Sequence, residues 1–398
     1  MKRVAVKIAK AGLNCLYRPL CKKRRENEVV LLSRQTNKPS YDFQQIAKAF
    51  EDEGWKTHLH LKKVTKRNMP AYCIHVVKEI KLLGRCKLAI LDRYDPVVSL
   101  LDFECAKRPP SSAANAGKAT GRKKPVNLDD PVKPVVIQIW HAFGAFKKFG
   151  HQSVDTAEGH SSSFTDIFSI HRNYSRVLCS GAAARDAFAE AFSCPPERVI
   201  PMDRPEYDEL KRLACERRER KADGEEFKVL MAPTLRKSTD SAHPFRDLYQ
   251  NRAQFEHDLE SASVSWAFHP LETGLPAPGN VSEKLLECDL LVTDYSSIVY
   301  EAFLLDIPTL FYIPDIEAYR LSPGLNIDPL THVPELCALD EQSLATLIAS
   351  FANAEGKPGA QALDSFMEGY FDIGEPRDGS AAQRFVQFAI RCVQGSDS

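Results

Sequence analysis

Cys288-Asp289-Leu290-Leu291-Val292-Thr293-Asp294-Tyr295-Ser296-Ser297 reads as a short buried strand running into a polar turn. Leu290 to Val292 form an uninterrupted apolar run, the pattern of a strand covered on both faces. Thr293 to Ser297 then gather hydroxyls and a carboxylate at its carboxyl end. Beyond them Val299, Ala302, Phe303 and Leu305 recur at helical spacing. A buried strand, a polar turn and an amphipathic helix form the repeating unit of a parallel sheet with helices on its faces.

The same unit recurs on both sides of this stretch. Strand patterns are expected at Glu28–Ser33, Lys56–Leu61, Lys87–Asp92, Val135–Trp140, Lys228–Ala232, Ser265–Phe268 and Thr309–Tyr312. Helical patterns lie between them, as at Tyr41–Glu53 and Pro70–Leu83. A charged helix over Glu206–Asp223 separates two such groups. The expected organisation is therefore a basic amphipathic segment at 1–26, an α/β domain at 27–222 and a second α/β domain at 223–398. The fold class is α/β, with two Rossmann-like domains facing a cleft. Residues 107–134, rich in Pro, Ser, Ala, Gly and Lys without an apolar period, read as a flexible insertion in the first domain. Residues 381–393, with Phe385, Phe388, Ala389 and Cys392 on one face, read as a final helix.

The 398 residues carry 53 Lys and Arg against 53 Asp and Glu, and the neutral total hides a division. Residues 251–398 hold 7 Lys and Arg against 23 Asp and Glu, a balance of −16, so the first 250 residues hold +16. Two readings stand: a basic half that meets an anionic surface, acceptor or nucleic acid, or two domains that attract one another. Residues 1–25 have nine Lys and Arg and no acid, with Val4, Ile8, Leu13, Leu16 and Leu20 at roughly helical spacing. Lys7 and Lys10 interrupt the apolar core that a secretory signal requires. A helix lying in lipid headgroups and a first helix packed on its own domain both fit. No stretch reaches the ~20 apolar residues of a membrane span. The eleven cysteines include no Cys-x-x-Cys pair and read as reduced thiols. No Gly-x-Gly-x-x-Gly or Walker sequence occurs, which argues against nicotinamide and P-loop chemistry.

In open parallel sheets, ligands gather beyond the carboxyl ends of the strands. His141 follows Ile137-Gln138-Ile139-Trp140 and is a candidate general base or a structural histidine; Lys147 and Lys148 follow it. Arg236 closes Ala232-Pro233-Thr234-Leu235-Arg236 and suits either a phosphate or a salt bridge. His269 closes Phe268-His269-Pro270 and can donate to a phosphate oxygen. Thr293, Asp294, Ser296 and Ser297 stand where a helix begins, a natural anion site. Asp289 and Asp294 are the one carboxylate pair considered for magnesium.

These segments, in this order, resemble the CDP-glycerol glycerophosphotransferase family of teichoic-acid synthesis. The resemblance rests on Trp140-His141 with Gly144-Ala145-Phe146-Lys147-Lys148-Phe149-Gly150, on Ala-Pro-Thr-x-Arg ending at Arg236, on His269-Pro270, and above all on Thr293-Asp294-Tyr295-Ser296-Ser297. Gly324 to Asp328 also look familial. Where the commonest family version has Gly and Thr after the histidine, this chain has Ala142 and Phe143. The resemblance implies the glycosyltransferase-B arrangement of the two domains. It implies transfer of glycerol phosphate or ribitol phosphate from CDP-glycerol or CDP-ribitol to a hydroxyl of a membrane-linked glycan or polyol-phosphate acceptor, with release of CMP. His141 and His269 would be catalytic, Arg236, Thr293, Asp294, Ser296 and Ser297 would hold the donor, and Lys147 and Lys148 would meet acceptor or phosphate. No cofactor or metal is implied. The expected location is the cytoplasmic face of the cell membrane, peripherally bound to an anionic surface. A sugar-nucleotide glycosyltransferase of the same architecture is the alternative enzyme. A non-catalytic polyanion-binding protein is the alternative class, although the aromatic-basic interleaving of a single-strand binder is absent and no nucleic-acid partner is expected.

Overall fold

A computed structural model describes residues 2–21, 25–63, 69–103, 133–156, 158–220, 226–236, 243–259, 262–269, 271–272, 274–276, 279–353, 359–367, 369–371 and 380–395. The insertion expected at 107–134 lies outside the described residues except for its last two, as does the expected domain boundary near 222.

Among the described residues, eleven strands form two parallel sheets. The first contains β1 (Arg25–Ser33), β2 (Lys56–Leu61), β3 (Cys86–Leu91), β4 (Val135–Gln138), β5 (Arg176–Cys179) and β6 (Val199–Pro201), in the order β2-β1-β3-β4-β5-β6. The second contains β7 (Phe227–Met231), β8 (Ala262–Trp266), β9 (Leu290–Thr293), β10 (Thr309–Tyr312) and β11 (Cys337–Ala338), in the order β11-β10-β9-β7-β8. In each sheet the second strand pairs on one side of the first and the third on the other, so the winding reverses between β1 and β3 and between β7 and β9. Such a reversal opens a crevice at the carboxyl ends of the two central strands. β9 buries all four of its residues, as its continuous apolar run requires. β5, β6 and β11 were not expected from the sequence; β6 holds only Val199, Ile200 and Pro201 and β11 only Cys337 and Ala338, while β5 is as long as β9.

The first helix, Lys2–Tyr17, docks by its carboxyl-terminal half. Asn14 donates to the Leu100 carbonyl (3.2 Å) and accepts from the Asp102 N–H (2.7 Å), while Tyr17 is fully buried against Phe103. Val4, Ile8, Leu16 and Leu20, four of the five expected stripe residues, remain exposed. The helix Ala381–Gln394 packs Phe385, Val386 and Ala389 into the core beneath β1, β3 and β4, so the end of the chain returns to the first sheet.

Candidate active site

Gln138, fully buried at the end of β4, donates to the Arg93 carbonyl (3.0 Å) and accepts from the Trp140 N–H (2.9 Å). The chain then turns through Trp140 at φ 57°, a left-handed conformation that a bulky residue rarely adopts. Such strain costs on the order of 1–3 kcal/mol and persists only where packing enforces it. Here the Trp140 ring is stacked on Phe149 and edge-on to Phe192. His141 follows this turn, and the residue as a whole is exposed. Protein nevertheless surrounds it on most sides. Lost hydration, then the positive charges of Arg93 and Arg204, push its pKa well below the ordinary histidine range. His141 is therefore a neutral imidazole at pH 7, able to accept a proton.

The residues after His141 cross from the first sheet to the second. Phe143 and Phe146 are each 1 % exposed and belong to the core of the second lobe, against Phe371 and against Phe311 and Phe366. Burying two such rings contributes roughly 1.5–3 kcal/mol apiece. The backbone is tied down as well: Lys148 N–H donates to the Gly324 carbonyl, and the Asn326 and Ile327 N–H groups donate to the Phe146 carbonyl. At Gly144 a Cβ atom would stand 2.2 Å from the Tyr300 ring, so only glycine fits there. Lys147 and Lys148 are half-buried on this crossing segment. His269, largely exposed beyond β8, has its pKa lowered by partial loss of hydration and then by the charge of Lys147, which places these two residues near one another.

At the second crevice the selected residues divide into two kinds. Thr293 is fully buried and donates to the Ala232 carbonyl (2.7 Å), joining the ends of β9 and β7. Asp294, 1 % exposed, accepts from the Thr234 N–H (2.7 Å) and pairs with Arg236 (2.9 Å). Arg236 also pairs with Asp315 (3.1 Å) and lies over the Tyr319 ring, which stacks on Tyr295 at 3.8 Å. Tyr295 donates to Asp315 (3.0 Å). The guanidinium is thus held on the protein by two carboxylates and two rings. Ser296 and Ser297, by contrast, are half-buried where the helix Ile298–Leu304 begins. A small recess of about 10 Å³ is lined by Thr234, Arg236, His243, Arg246, Glu272 and Asp294, among others. Asp289 and Asp294 cannot share a magnesium ion. They flank β9 at opposite ends, roughly 15 Å apart at the rise of a strand, and Asp289 is engaged by Arg217 and the Lys228 N–H.

Several residues in the cleft were not selected from the sequence. Arg204 is 5 % exposed, pairs with Glu206 and Asp42, and covers the Phe143 ring at 4.2 Å. Burial raises the Asp42 carboxyl to about 6 and Glu301, which senses Glu206 and Arg204, to about 7. Arg93 follows β3 and was available to the strand-end rule. Arg204 was not, because β6 before it is too short to announce itself.

Two parallel sheets joined through a crossing segment, with polar residues at the winding reversal, define a two-lobed α/β protein of the glycosyltransferase-B kind. Among solved structures, the wall teichoic acid polymerase TagF matches 100 % of this chain and 99 % of its own at a TM-score of 0.61 and 14 % identity. The Staphylococcus aureus MnaA–UDP structure matches 94 % and 97 % at 0.53 and 11 %. At these identities the likeness concerns the fold. The profile of the CDP-glycerol:poly(glycerophosphate) glycerophosphotransferase family matches residues 16–390, and the chain belongs to that family. A teichoic acid ribitol-phosphate primase of Bacillus spizizenii is 26 % identical over 98 % of this chain and 97 % of its own. A teichoic acid glycerol-phosphate primase of Bacillus subtilis is 24 % identical over 68 % and 67 %.

Proposed function

We propose that the protein transfers glycerol phosphate or ribitol phosphate from a CDP-polyol to a hydroxyl of a membrane-linked glycan or polyol-phosphate acceptor in teichoic-acid-type polymer synthesis. The observation that carries this reading is the position of His141 just beyond the carboxyl end of β4, on a segment whose next residues, Phe143 and Phe146, are embedded in the core of the second lobe. The acceptor oxygen attacks the phosphorus that bears the polyol, its proton passes to His141, and the bond to the leaving phosphate breaks to release CMP. Positioned proton transfer of this kind contributes roughly 10²–10⁴-fold. His269, Lys147, Ser296 and Ser297 meet the charge of the pyrophosphate as it redistributes. Thr293, Asp294 and Arg236 act mainly by shaping the crevice, since their polar atoms are already paired. The recess lined by Arg236, with room for about 10 Å³, is far smaller than the ~300–1,000 Å³ of a site enclosing a whole ligand, so the donor lies mainly outside it. Lys148 also borders an open groove of about 800 Å³ on the first lobe, suited to an extended acceptor.

Purified protein supplied with CDP-glycerol, CDP-ribitol and UDP-sugars in turn is expected to release CMP from a CDP-polyol, and faster with an acceptor present. Release of nucleoside diphosphates from UDP-sugars alone would move the protein to the sugar-transferring alternative.

The protein is further proposed to act at the inner face of the cell membrane, bound peripherally. No helix among the described residues is long and apolar enough to cross a membrane. Val4 and Ile8 are 61 % and 68 % exposed on a helix that also carries Lys2, Arg3, Lys7 and Lys10, and the adjacent helix Met69–Arg85 exposes Ile74 and Val77. Each basic group near an anionic leaflet contributes about 1 kcal/mol. Deleting the helix would remove Asn14 and Tyr17 from the core, so substitution is the better test. Val4→Glu with Ile8→Glu is expected to abolish co-sedimentation with phosphatidylglycerol vesicles while leaving the melting temperature unchanged. Undiminished sedimentation would remove this surface as the membrane contact.

A further inference from the structure

β3 and β4 run side by side with Leu91 opposite Gln138, and the Ile139 N–H donates to the Leu91 carbonyl (2.8 Å). The residues that leave the two strands, Asp92-Arg93 and Trp140-His141, are therefore neighbours at the carboxyl edge of the first sheet. One side chain ties them together: Gln138 donates to the Arg93 carbonyl (3.0 Å) and accepts from the Trp140 N–H (2.9 Å). The main chain of Asp92 faces the His141 imidazole. Arg93 thus stands beside the residue placed to take the acceptor's proton.

Its guanidinium is what needs explaining. Arg204 and Arg236 are held by carboxylates, Arg204 by Asp42 and Glu206 and Arg236 by Asp294 and Asp315. Arg93 is half-buried, yet among the described residues its guanidinium makes no hydrogen bond and no ion pair. Asp92, 9 % exposed, accepts from Ser33 instead; it attracts Arg93 from a distance, while Arg204 repels it. A cation that is partly stripped of water beside a like charge is unfavourable, and an anion against its free fork offsets that. The group stays charged at any working pH, so it serves to bind rather than to move protons, and its planar fork matches two oxygens of a phosphate.

We propose that Arg93 binds a phosphate oxygen of the substrates beside His141 and is a catalytic residue of the transfer. The inference rests on the reading of the protein as a CDP-polyol transferase. In that reaction the acceptor oxygen stands within hydrogen-bond reach of His141. It bonds to phosphorus as the bond to CMP breaks, and its proton goes to the imidazole. Two phosphates lie near that point: the one being transferred, and the phosphodiester of an acceptor that ends in polyol phosphate. An acceptor that ends in plain glycan supplies only the first.

CMP release is measured for the wild type, Arg93→Ala and Arg93→Lys with CDP-glycerol and CDP-ribitol, on a glycan acceptor with and without a terminal glycerol phosphate. Arg93→Ala is expected to lose roughly 10²–10³-fold in kcat/KM, the usual cost of removing one donor aimed at developing charge. Its melting temperature should be that of the wild type, because the guanidinium has no protein partner to lose. Arg93→Lys keeps the charge without the fork and should fall between the two. A lower kcat with both acceptors assigns the contact to the phosphate in transfer. A higher KM confined to the phosphate-ended acceptor assigns it to the acceptor. Wild-type kcat and KM in the alanine variant would overturn the proposal and leave the transferase reading standing. So would a lost rate accompanied by a lowered melting temperature, both restored by lysine, which would make Arg93 a counter-charge for Asp92. No CMP release by the wild type from either donor would instead remove the reading beneath it, and the proposal with it.

Discussion

Replacing His141 with Asn lowers turnover by on the order of 10²–10⁴-fold, the usual contribution of a positioned base, while the donor KM changes little. Asparagine keeps a polar group of similar size at the turn set by Trp140, so the crossing segment and its buried Phe143 and Phe146 stay in place. The pH profile carries a second signature. A base works only when unprotonated, so activity is lost as pH falls through the histidine's folded pKa. Burial and the charges of Arg93 and Arg204 lower that pKa, and the acid limb of kcat/KM, which reports the free enzyme, should lie below the ordinary imidazole value of about 6.5. An anionic donor offsets the two guanidinium charges and moves the pKa back up, so the acid limb of kcat should lie higher than that of kcat/KM. Rates of CMP release across pH measure both. A variant that keeps its turnover, or loses only donor affinity, would show that His141 is not the base.

Replacing Arg236 with Leu destabilises the protein by about 3–5 kcal/mol, the range found when one partner of a buried ion pair is removed. That is a large part of the ~5–15 kcal/mol that holds a domain folded. The Arg236 side chain is 6 % exposed, and without it Asp294 and Asp315, 1 % and 7 % exposed, face one another unpaired. The stack on Tyr319 is lost with it. Lysine restores one charge but neither the fork nor the planar stack, so Arg236→Lys should recover only part of the loss. Burial raises the Asp315 pKa, with Arg236 as the main opposing influence. In the leucine variant that opposition is gone, so the deficit should shrink as pH falls and Asp315 takes up a proton. Urea unfolding at several pH values measures this. A loss under about 1 kcal/mol at neutral pH would mean that the guanidinium is held for the donor alone.

The strand-end rule located His141, His269, Arg236 and the Thr293–Ser297 turn because a buried parallel strand shows itself as an apolar run, and the polar residue that stops it marks its mouth. It failed at β6 and β11, which are too short to form a run, and also at β5; Arg204, which follows β6, went unseen with them. It also could not separate residues that face a ligand from those that bond the scaffold. Thr293, Asp294 and Arg236 carry the chemistry of a phosphate site in sequence, yet their polar atoms are engaged by Ala232, Thr234 and Asp315. Local sequence contains nothing about partners about sixty residues away.

By itself, the sequence determined the two α/β halves, the polar turn Thr293 to Ser297 and the family resemblance, because periodicity and motif order are local properties of the chain. Only the tertiary structure decided what that turn is made of. It placed the turn at the reversal between β7 and β9, assigned Thr293 and Asp294 to the scaffold, and left Ser296 and Ser297 at the opening. It also drove Phe143 and Phe146 from the first lobe into the core of the second, which aims His141. These outcomes depend on which strands become neighbours, and that is settled by burial summed over the whole molecule.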